Sequence, residues 1–255
     1  MEWYWVVAIA VGLVAVLLVL SNIFYKQFFK RFYDVVLSGI ALIVLSPLLL
    51  ILTIVGAIAM HGNPFFVQPR PGKIDPKTGK ERIFSLVKFR TMSNKKDSEG
   101  NLLPDSVRLN KYGKFLRRTS LDELPELVTI FLGYMSITGP RPLLVRDMTF
   151  MTVEQRRRHT VTPGLTGLAQ VNGRNNMTWE KRLEFDLQYI DSGITVWKDI
   201  TILFQTVINV LKQDGITEEG ESTATDLGDY LLQKGALTKE EYDQKQEKAK
   251  ELLRV

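Results

Sequence analysis

The chain has 255 residues, 45% of them apolar, enough for a sizeable core in one large domain or in a domain with appendages. A net charge of +5 and a pI near 9.3 point to anionic partners: lipid headgroups, nucleotides or nucleic acid. The absence of cysteine excludes disulfides and thiolate metal sites, and it fits a reducing compartment.

Two long uncharged blocks, residues 3–21 and 35–60, hold much of the apolar content. In the first, Trp3-Tyr4-Trp5 is an aromatic interfacial anchor and residues 6–20 are close to the minimum length for a spanning helix. Only Glu2 stands where a signal peptide has its basic region, and no small-residue cleavage pattern precedes Asn22. Lys26, Lys30 and Arg31 follow, so the positive-inside rule places the N-terminus outside and the rest in the cytoplasm. The second block is also long enough to span. However, Ser46-Pro47 invites a break in its middle, and basic residues flank both ends, with Arg70, Lys73, Lys77 and Lys80 on the far side. A helix that enters, breaks at Ser46-Pro47 and returns to the same face satisfies both observations; an ordinary kinked transmembrane helix is the alternative.

Residues 65–68 and 83–89 read as short strands, with the turn-rich stretch 69–82 as a long hairpin loop, and 93–106 reads as a polar loop. Ser120 fits the N-cap of the next helix, with Glu123 completing a capping box, Asp122 in the first turn and Gly133 as the stop. Two adjacent carboxylates just after Arg117-Arg118, at a helix N-terminus, can be a structural cap or a focus for phosphate chemistry. In Gly139-Pro140-Arg141-Pro142 one arginine is held between two prolines, as a solvated turn or as a phosphate fork with little rotational freedom to lose.

Residues 146–159 mix Met148, Phe150, Met151 and Val153 with Arg146, Arg156, Arg157 and Arg158, the pattern of a basic helix resting on anionic lipid. His159 has no second ligand at metal spacing and reads as surface or capping. The glycine-rich run 163–174 could let backbone approach a nucleotide, but it matches neither the P-loop nor the dinucleotide fingerprint. Trp197, Ile200, Leu203, Phe204, Val207 and Leu211 form an apolar stripe at helical spacing, either core or membrane-facing. After an acidic linker at 215–226, residues 227–234 and a second capping box from Thr238 to Glu241 spell a short helical hairpin.

Lys88-Phe89-Arg90-Thr91-Met92, residues 120–127, Gly139-Pro140-Arg141-Pro142-Leu143, and residues 163–174 followed by Trp179, Arg182, Asp186 and Tyr189 resemble the bacterial sugar transferase family. These are monotopic phosphoglycosyl transferases that start glycan assembly on polyprenyl phosphate, and the resemblance covers roughly residues 30–213. It implies an α-rich α+β membrane protein: a re-entrant helix-break-helix anchor, and a small cytoplasmic catalytic domain with interfacial amphipathic helices and a short β-hairpin. The chain then divides into an N-terminal hydrophobic helix at 1–25, the anchor at 26–62, the catalytic domain at 63–214, the linker at 215–226 and the C-terminal hairpin at 227–255. The added helix at 3–20 and the insertion at 75–82 depart from the family's short members.

The resemblance further implies a two-step transfer of a sugar 1-phosphate from a UDP-sugar to undecaprenyl phosphate. Asp122 would be the nucleophile and Glu123 its partner and a ligand for Mg2+. Arg117 and Arg141 would neutralise the diphosphate, with Lys88, Arg90 and Arg174 as further phosphate or uridine contacts. The expected setting is the cytoplasmic face of a bacterial inner membrane, in contact with lipid, with self-association through the C-terminal hairpin. A non-catalytic membrane scaffold is the rival reading. A nucleic-acid binder is disfavoured, since the basic residues cluster beside apolar helices with no nucleic-acid motif.

Overall fold

The computed structural model describes residues 3–173, 177–212 and 225–254. An apolar helix α1 (Trp3–Ile23) runs through a π-helical turn at Tyr25–Phe29 into α2 (Lys30–Ala59). The segment Tyr25–Ala59 contains an 18-residue stretch of mean hydropathy 2.8 and is long and apolar enough to cross a membrane. Its outer face is uncovered, with Ile43 76% and Ile58 69% exposed, which marks membrane association. Ser46-Pro47, where a break was expected, lies within the helical residues of α2, a position at which proline bends a helix without ending it. Pro47 has no N–H to donate to the carbonyl of Ile43, but the Ser46 hydroxyl donates to that same carbonyl at 2.7 Å. The pair thus carries its own replacement bond.

The strands β1 (Phe65–Ile74) and β2 (Glu81–Phe89) form an antiparallel hairpin, so most of the stretch expected as loop is strand. Pro69 and Pro71 are tolerated because a two-stranded sheet has only edges, where a missing N–H can face outward. After α3 (Asp105–Arg108), α4 (Lys111–Thr119) is capped by Asn110, whose side chain accepts from Gly113 N–H at 2.8 Å. Ser120 ends α4 in the left-handed region (φ 55°) and caps nothing with its side chain. This corrects the expected N-cap. The chain passes through a 3-10 turn at Leu121–Glu123, and α5 (Glu126–Leu132) starts only after Pro125, ending at Gly133 (φ 92°).

A short parallel pair follows, β3 (Ser136–Thr138) with β4 (Gly164–Thr166). Between them lie α6 (Val145–Phe150), α7 (Val153–Arg156) and a 3-10 turn at Arg157–Thr160. The lipid-resting helix expected over 146–159 is therefore three short pieces. Met148, Phe150 and Met151 are buried in core, and so are Arg158 and His159. His159 is not a surface residue: its Nδ1 lies 3.2 Å from Glu81 Oε1, and burial pushes its pKa down to about 4 against the pull of that carboxylate.

The remaining helices are α8 (Leu168–Gly173), α9 (Trp179–Asp191), α10 (Val196–Lys212), α11 (Leu227–Gln233) and α12 (Lys239–Leu253). The capping box from Thr238 to Glu241 opens α12 as expected. Of the expected linker only Thr225 and Asp226 fall within the described residues. The C-terminal hairpin packs its apolar side onto its own chain, Leu227 and Tyr242 joining Phe150, Met151 and Trp179 in one cluster. Leu227 N–H donates to Asp147 Oδ1 at 3.0 Å. Those residues are occupied within the monomer, so they offer no free surface for the self-association expected there.

A buried polar latch joins the base of the apolar helix to α10. Asp199 on α10 pairs with Lys30 Nζ and accepts from the hydroxyls of Tyr25 (2.8 Å) and Tyr189 (2.7 Å). Breaking such a buried pair strands the remaining charge. Asp199→Ala is expected to cost roughly 3–5 kcal/mol and to lower Tm by several degrees in detergent-solubilised protein. Glu247→Gln, in an exposed pair with Lys250, should leave Tm unchanged.

Candidate active site

Antiparallel pairing sets one wall of the site. Phe66 faces Lys88, Gln68 faces Leu86 and Arg70 faces Phe84, so Arg70, Lys88 and Arg90 fall on one face of the hairpin. The 3-10 turn after Ser120 presents Asp122 and Glu123 to that wall. The opposite wall comes from the strand pair, where backbone meets backbone: Gly139 N–H donates to Thr166 O at 2.8 Å, and Gly164 N–H to Pro140 O at 3.0 Å. A Cβ on Gly164 would sit 2.1 Å from Gly139 N, so only glycine permits the approach that aims Arg141 inward.

Together these walls enclose a cavity of about 760 Å³. Eight of its lining side chains are arginine or lysine and three are aspartate or glutamate, an excess of five positive charges. Such a cavity favours a polyanion, and a desolvated cation cluster of this size is relieved by binding one.

Glu123 sits at the centre. Lys88 Nζ donates to its Oε1 at 2.9 Å, and the Arg141 guanidinium clasps both oxygens, with Nη1 also donating to Leu165 O at 3.2 Å. Burial works against the Glu123 charge, but Arg141 and Lys88 outweigh it and hold the carboxyl well below the ordinary range. Its neighbour is placed differently. Asp122 lines the cavity and makes no hydrogen bond or ion pair among the described residues. Burial, then the adjacent Glu123 charge, push its carboxyl up to about 6. Behind them Glu126 is fully buried and neither carboxyl oxygen has a hydrogen-bond partner; Lys88 Nζ lies 3.1 Å from Oε1 without the geometry of a bond. Burial raises its pKa, favouring the protonated form.

The structure gathers Asp122, Glu123, Lys88, Arg90, Arg117 and Arg141 around this cavity, while Arg174 lies outside the described residues. Arg117 donates from Nε to Thr91 Oγ1 at 3.0 Å. Sequence reasoning gave no site role to three other groups, although it named Arg182 in a motif. Arg70, read only as a flanking charge, donates to Gln68 Oε1 at 2.6 Å and to Pro142 O at 3.3 Å; its Nε is buried without a partner, and burial followed by Arg141 lowers its pKa to about 10. Arg158 donates from Nε to Asp186 Oδ2 at 2.9 Å and from Nη2 to the Arg141 carbonyl at 2.5 Å, bracing the backbone of the arginine that grips Glu123. Arg182 stacks over the Trp179 ring at 4.8 Å. Strand parity, followed through Pro69, would have found Arg70; the other two depend on tertiary packing.

The profile of the family described as bacterial sugar transferase matches residues 25–213. The chain is 44% identical over 196 residues to the uncharacterized sugar transferase EpsL of Bacillus subtilis, covering 76% of this chain and 93% of that protein. It is 40% identical to a UDP-glucose:undecaprenyl-phosphate glucose-1-phosphate transferase of Klebsiella pneumoniae, over 70% of this chain and 39% of that one. It is 34% identical to the undecaprenyl-phosphate galactose phosphotransferase of Salmonella typhimurium, over 74% of this chain and 42% of that one. The chain therefore spans about two fifths of these longer relatives.

The electrostatics make one prediction about the dyad itself. Replacing Glu123 by Gln removes a negative neighbour and frees two cations, so the Asp122 pKa falls. Modification of Asp122 by a carbodiimide, which needs the protonated acid, is expected to be half-maximal near pH 6 in the wild type and at clearly lower pH in Glu123→Gln, read by peptide mass spectrometry.

Proposed function

The chain belongs to the bacterial sugar transferase family of phosphoglycosyl transferases, and from that premise we propose that it moves a sugar 1-phosphate from a UDP-sugar to undecaprenyl phosphate, giving undecaprenyl-diphospho-sugar and UMP. The observation that carries this reading is the asymmetry of the dyad: Glu123 is pinned as an anion by Lys88 and Arg141, and Asp122 faces the cavity free of ion pairs among the described residues.

In the first step an Asp122 carboxylate oxygen bonds to the β-phosphorus of the donor. The bond from that phosphorus to the bridging oxygen breaks, and UMP leaves with the oxygen. In the second step a phosphate oxygen of the acceptor attacks the same phosphorus and Asp122 departs as a carboxylate, so one nucleophile serves both half-reactions. Arg141 and Lys88 offset the charge of the diphosphate, and Arg117 and Arg90 line the same cavity as further cations. The raised Asp122 pKa sets the acid limit, because the attacking form is lost as pH falls below about 6.

Glu123 presents hard carboxylate oxygens at the cavity and would hold Mg2+, with oxygens of the substrate phosphates as the further donors such an ion prefers. When bound, the ion neutralises charge on the diphosphate.

We place the catalytic domain on the cytoplasmic face of a bacterial inner membrane, with α2 entering and leaving by that face. Both ends of α2 are held by the same domain, which supports this reading. Lys30 donates to Thr138 O at 2.8 Å at one end, and Asn110 Nδ2 donates to Ala59 O at 3.0 Å at the other.

The test is UMP release by the purified full chain with magnesium, undecaprenyl phosphate and a panel of UDP-sugars. Wild type is expected to release UMP with at least one sugar, and to release one equivalent in a burst without acceptor. Asp122→Asn should lose roughly 10⁴-fold or more in rate. Equal release by wild type and Asp122→Asn would overturn the assignment of the nucleophile, and no release with any sugar would favour the scaffold.

A further inference from the structure

The cavity is not charged throughout. Its cations come from β1, β2, the residues from Arg108 to Arg117, the Arg141 loop, Arg158 and α9. The part between β4, α8 and α10 carries no charge: Leu165, Ala169, Val171, Leu203 and Val210 line it, interleaved with the neutral polar side chains of Thr166, Gln170, Thr206 and Asn209. Its walls are tied by Thr206 Oγ1 to Thr166 Oγ1 at 2.5 Å and by Asn209 Nδ2 donating to Val171 O at 3.2 Å.

This lobe borders an unusual surface. On the outside of α10, Trp197, Ile200, Phe204 and Leu211 are 68%, 50%, 65% and 77% exposed, one stripe at spacings of three, four and seven residues. At about 100° per residue, Leu203 lies within about 60° of both Ile200 and Val207, and Leu203 is itself 38% exposed while lining the cavity. The lobe and the stripe thus meet at one side chain. The stripe starts beside the base of the apolar helix, where Lys30 and Asp199 join α2 to α10 and where Phe28 and Phe32 are also exposed. A path runs from an apolar outer face that belongs at the membrane, along an uncharged lobe, to a cluster of cations around Asp122.

We propose that the lobe between α8 and α10 is the acceptor channel, holding the isoprenoid units nearest the phosphate of a polyprenyl phosphate while its phosphate reaches the Arg141 and Lys88 side of the cavity. The inference rests on the transferase reading above and adds where the second substrate binds. A molecule with a dianionic head and a hydrocarbon tail matches both ends of the path. A nucleotide sugar matches the charged part better, since its diphosphate needs the cations gathered there and the lobe offers none. The donor therefore occupies the charged part and reaches Asp122 from the other side.

Two variants of the full chain in nanodiscs test this: Val210→Trp, which fills the lobe, and Leu203→Gln, which makes its mouth polar. Each is expected to raise the KM for undecaprenyl phosphate about tenfold or more, the scale set by apolar contacts in a pocket, while the KM for the UDP-sugar and the acceptor-free UMP burst stay at wild-type values. The burst shows that a variant is folded with its donor site intact. An unchanged acceptor KM in both variants overturns the proposal, as does a raised donor KM with an unchanged acceptor KM, which would put the sugar in the lobe. If the wild type turns over without a burst, the two-step reaction fails but the acceptor KM still decides the lobe. If the wild type releases no UMP with any donor, the transferase reading fails and the lobe assignment falls with it.

Discussion

The structure of the site depends on a single anion held between two cations. Glu123 is reached by Lys88 from the hairpin and by Arg141 from the loop after β3, so three segments far apart in the chain converge on one carboxylate. A buried charge of this kind is tolerated only when its partners are in place, and removing one partner leaves the others uncompensated. The positions of β2, the Leu121–Glu123 turn and the Arg141 loop are thereby linked. Asp122 takes the opposite part. It shares the burial and the field of Glu123 and feels the nearby cations without a close ion pair among the described residues, which leaves its carboxylate raised in pKa and facing the cavity.

Behind this contact stands a second layer that holds Arg141 by its backbone. Arg158 is 2% exposed, pairs with the equally buried Asp186, and donates from Nη2 to the Arg141 carbonyl. Pro140 and Pro142 restrict the chain on either side, and the contacts of Gly139 and Gly164 fix its depth. Arg141 therefore meets an incoming anion with its torsions largely set, which reduces the entropy lost on binding. The C-terminal hairpin reaches the same region through Asp147, which accepts from Leu227 N–H as well as from Leu144 N–H, two residues past Pro142.

Local signals in the sequence were a good guide wherever the chemistry is local. The apolar blocks, the hairpin, the stop at Gly133, the α10 stripe and the Thr238 capping box all follow from periodicity and from turn or cap residues. The failures have a common cause, in that a local rule had a stronger tertiary competitor. Ser120 and Glu123 have the spacing of a capping box, but Glu123 gains more from Lys88 and Arg141 than from a backbone N–H, and Pro125 delays the helix. Residues 146–159 look amphipathic for a membrane because their apolar partners, Trp179, Leu227 and Tyr242, lie 30 to 90 residues downstream. Arg70 was hidden by Pro69 and Pro71, which read as turn signals although an edge strand accepts them. Arg158 was hidden by company: in a run of three arginines nothing local marks the one that is buried.

The placement of α2 constrains how such a site can meet its two substrates. A helix of 30 residues is about 45 Å long, more than the roughly 30 Å of a hydrocarbon core. Were it to cross fully, Ala59 would emerge on the far side, and Asn110 and Tyr112, which bind Ala59 O and Leu52 O, would have to go with it. Those residues open α4, and α4 carries Arg117 into the charged cavity. A cluster of eight cations is costly to carry into lipid, which is the physical ground for the proposed placement of α2 on the side of the domain it serves. Under that proposed placement the charged cavity sits at the membrane surface rather than above it. Under the proposed two-step reaction that position is what the chemistry needs, because Asp122 must receive a phosphosugar from water and surrender it to a chain that never leaves the bilayer.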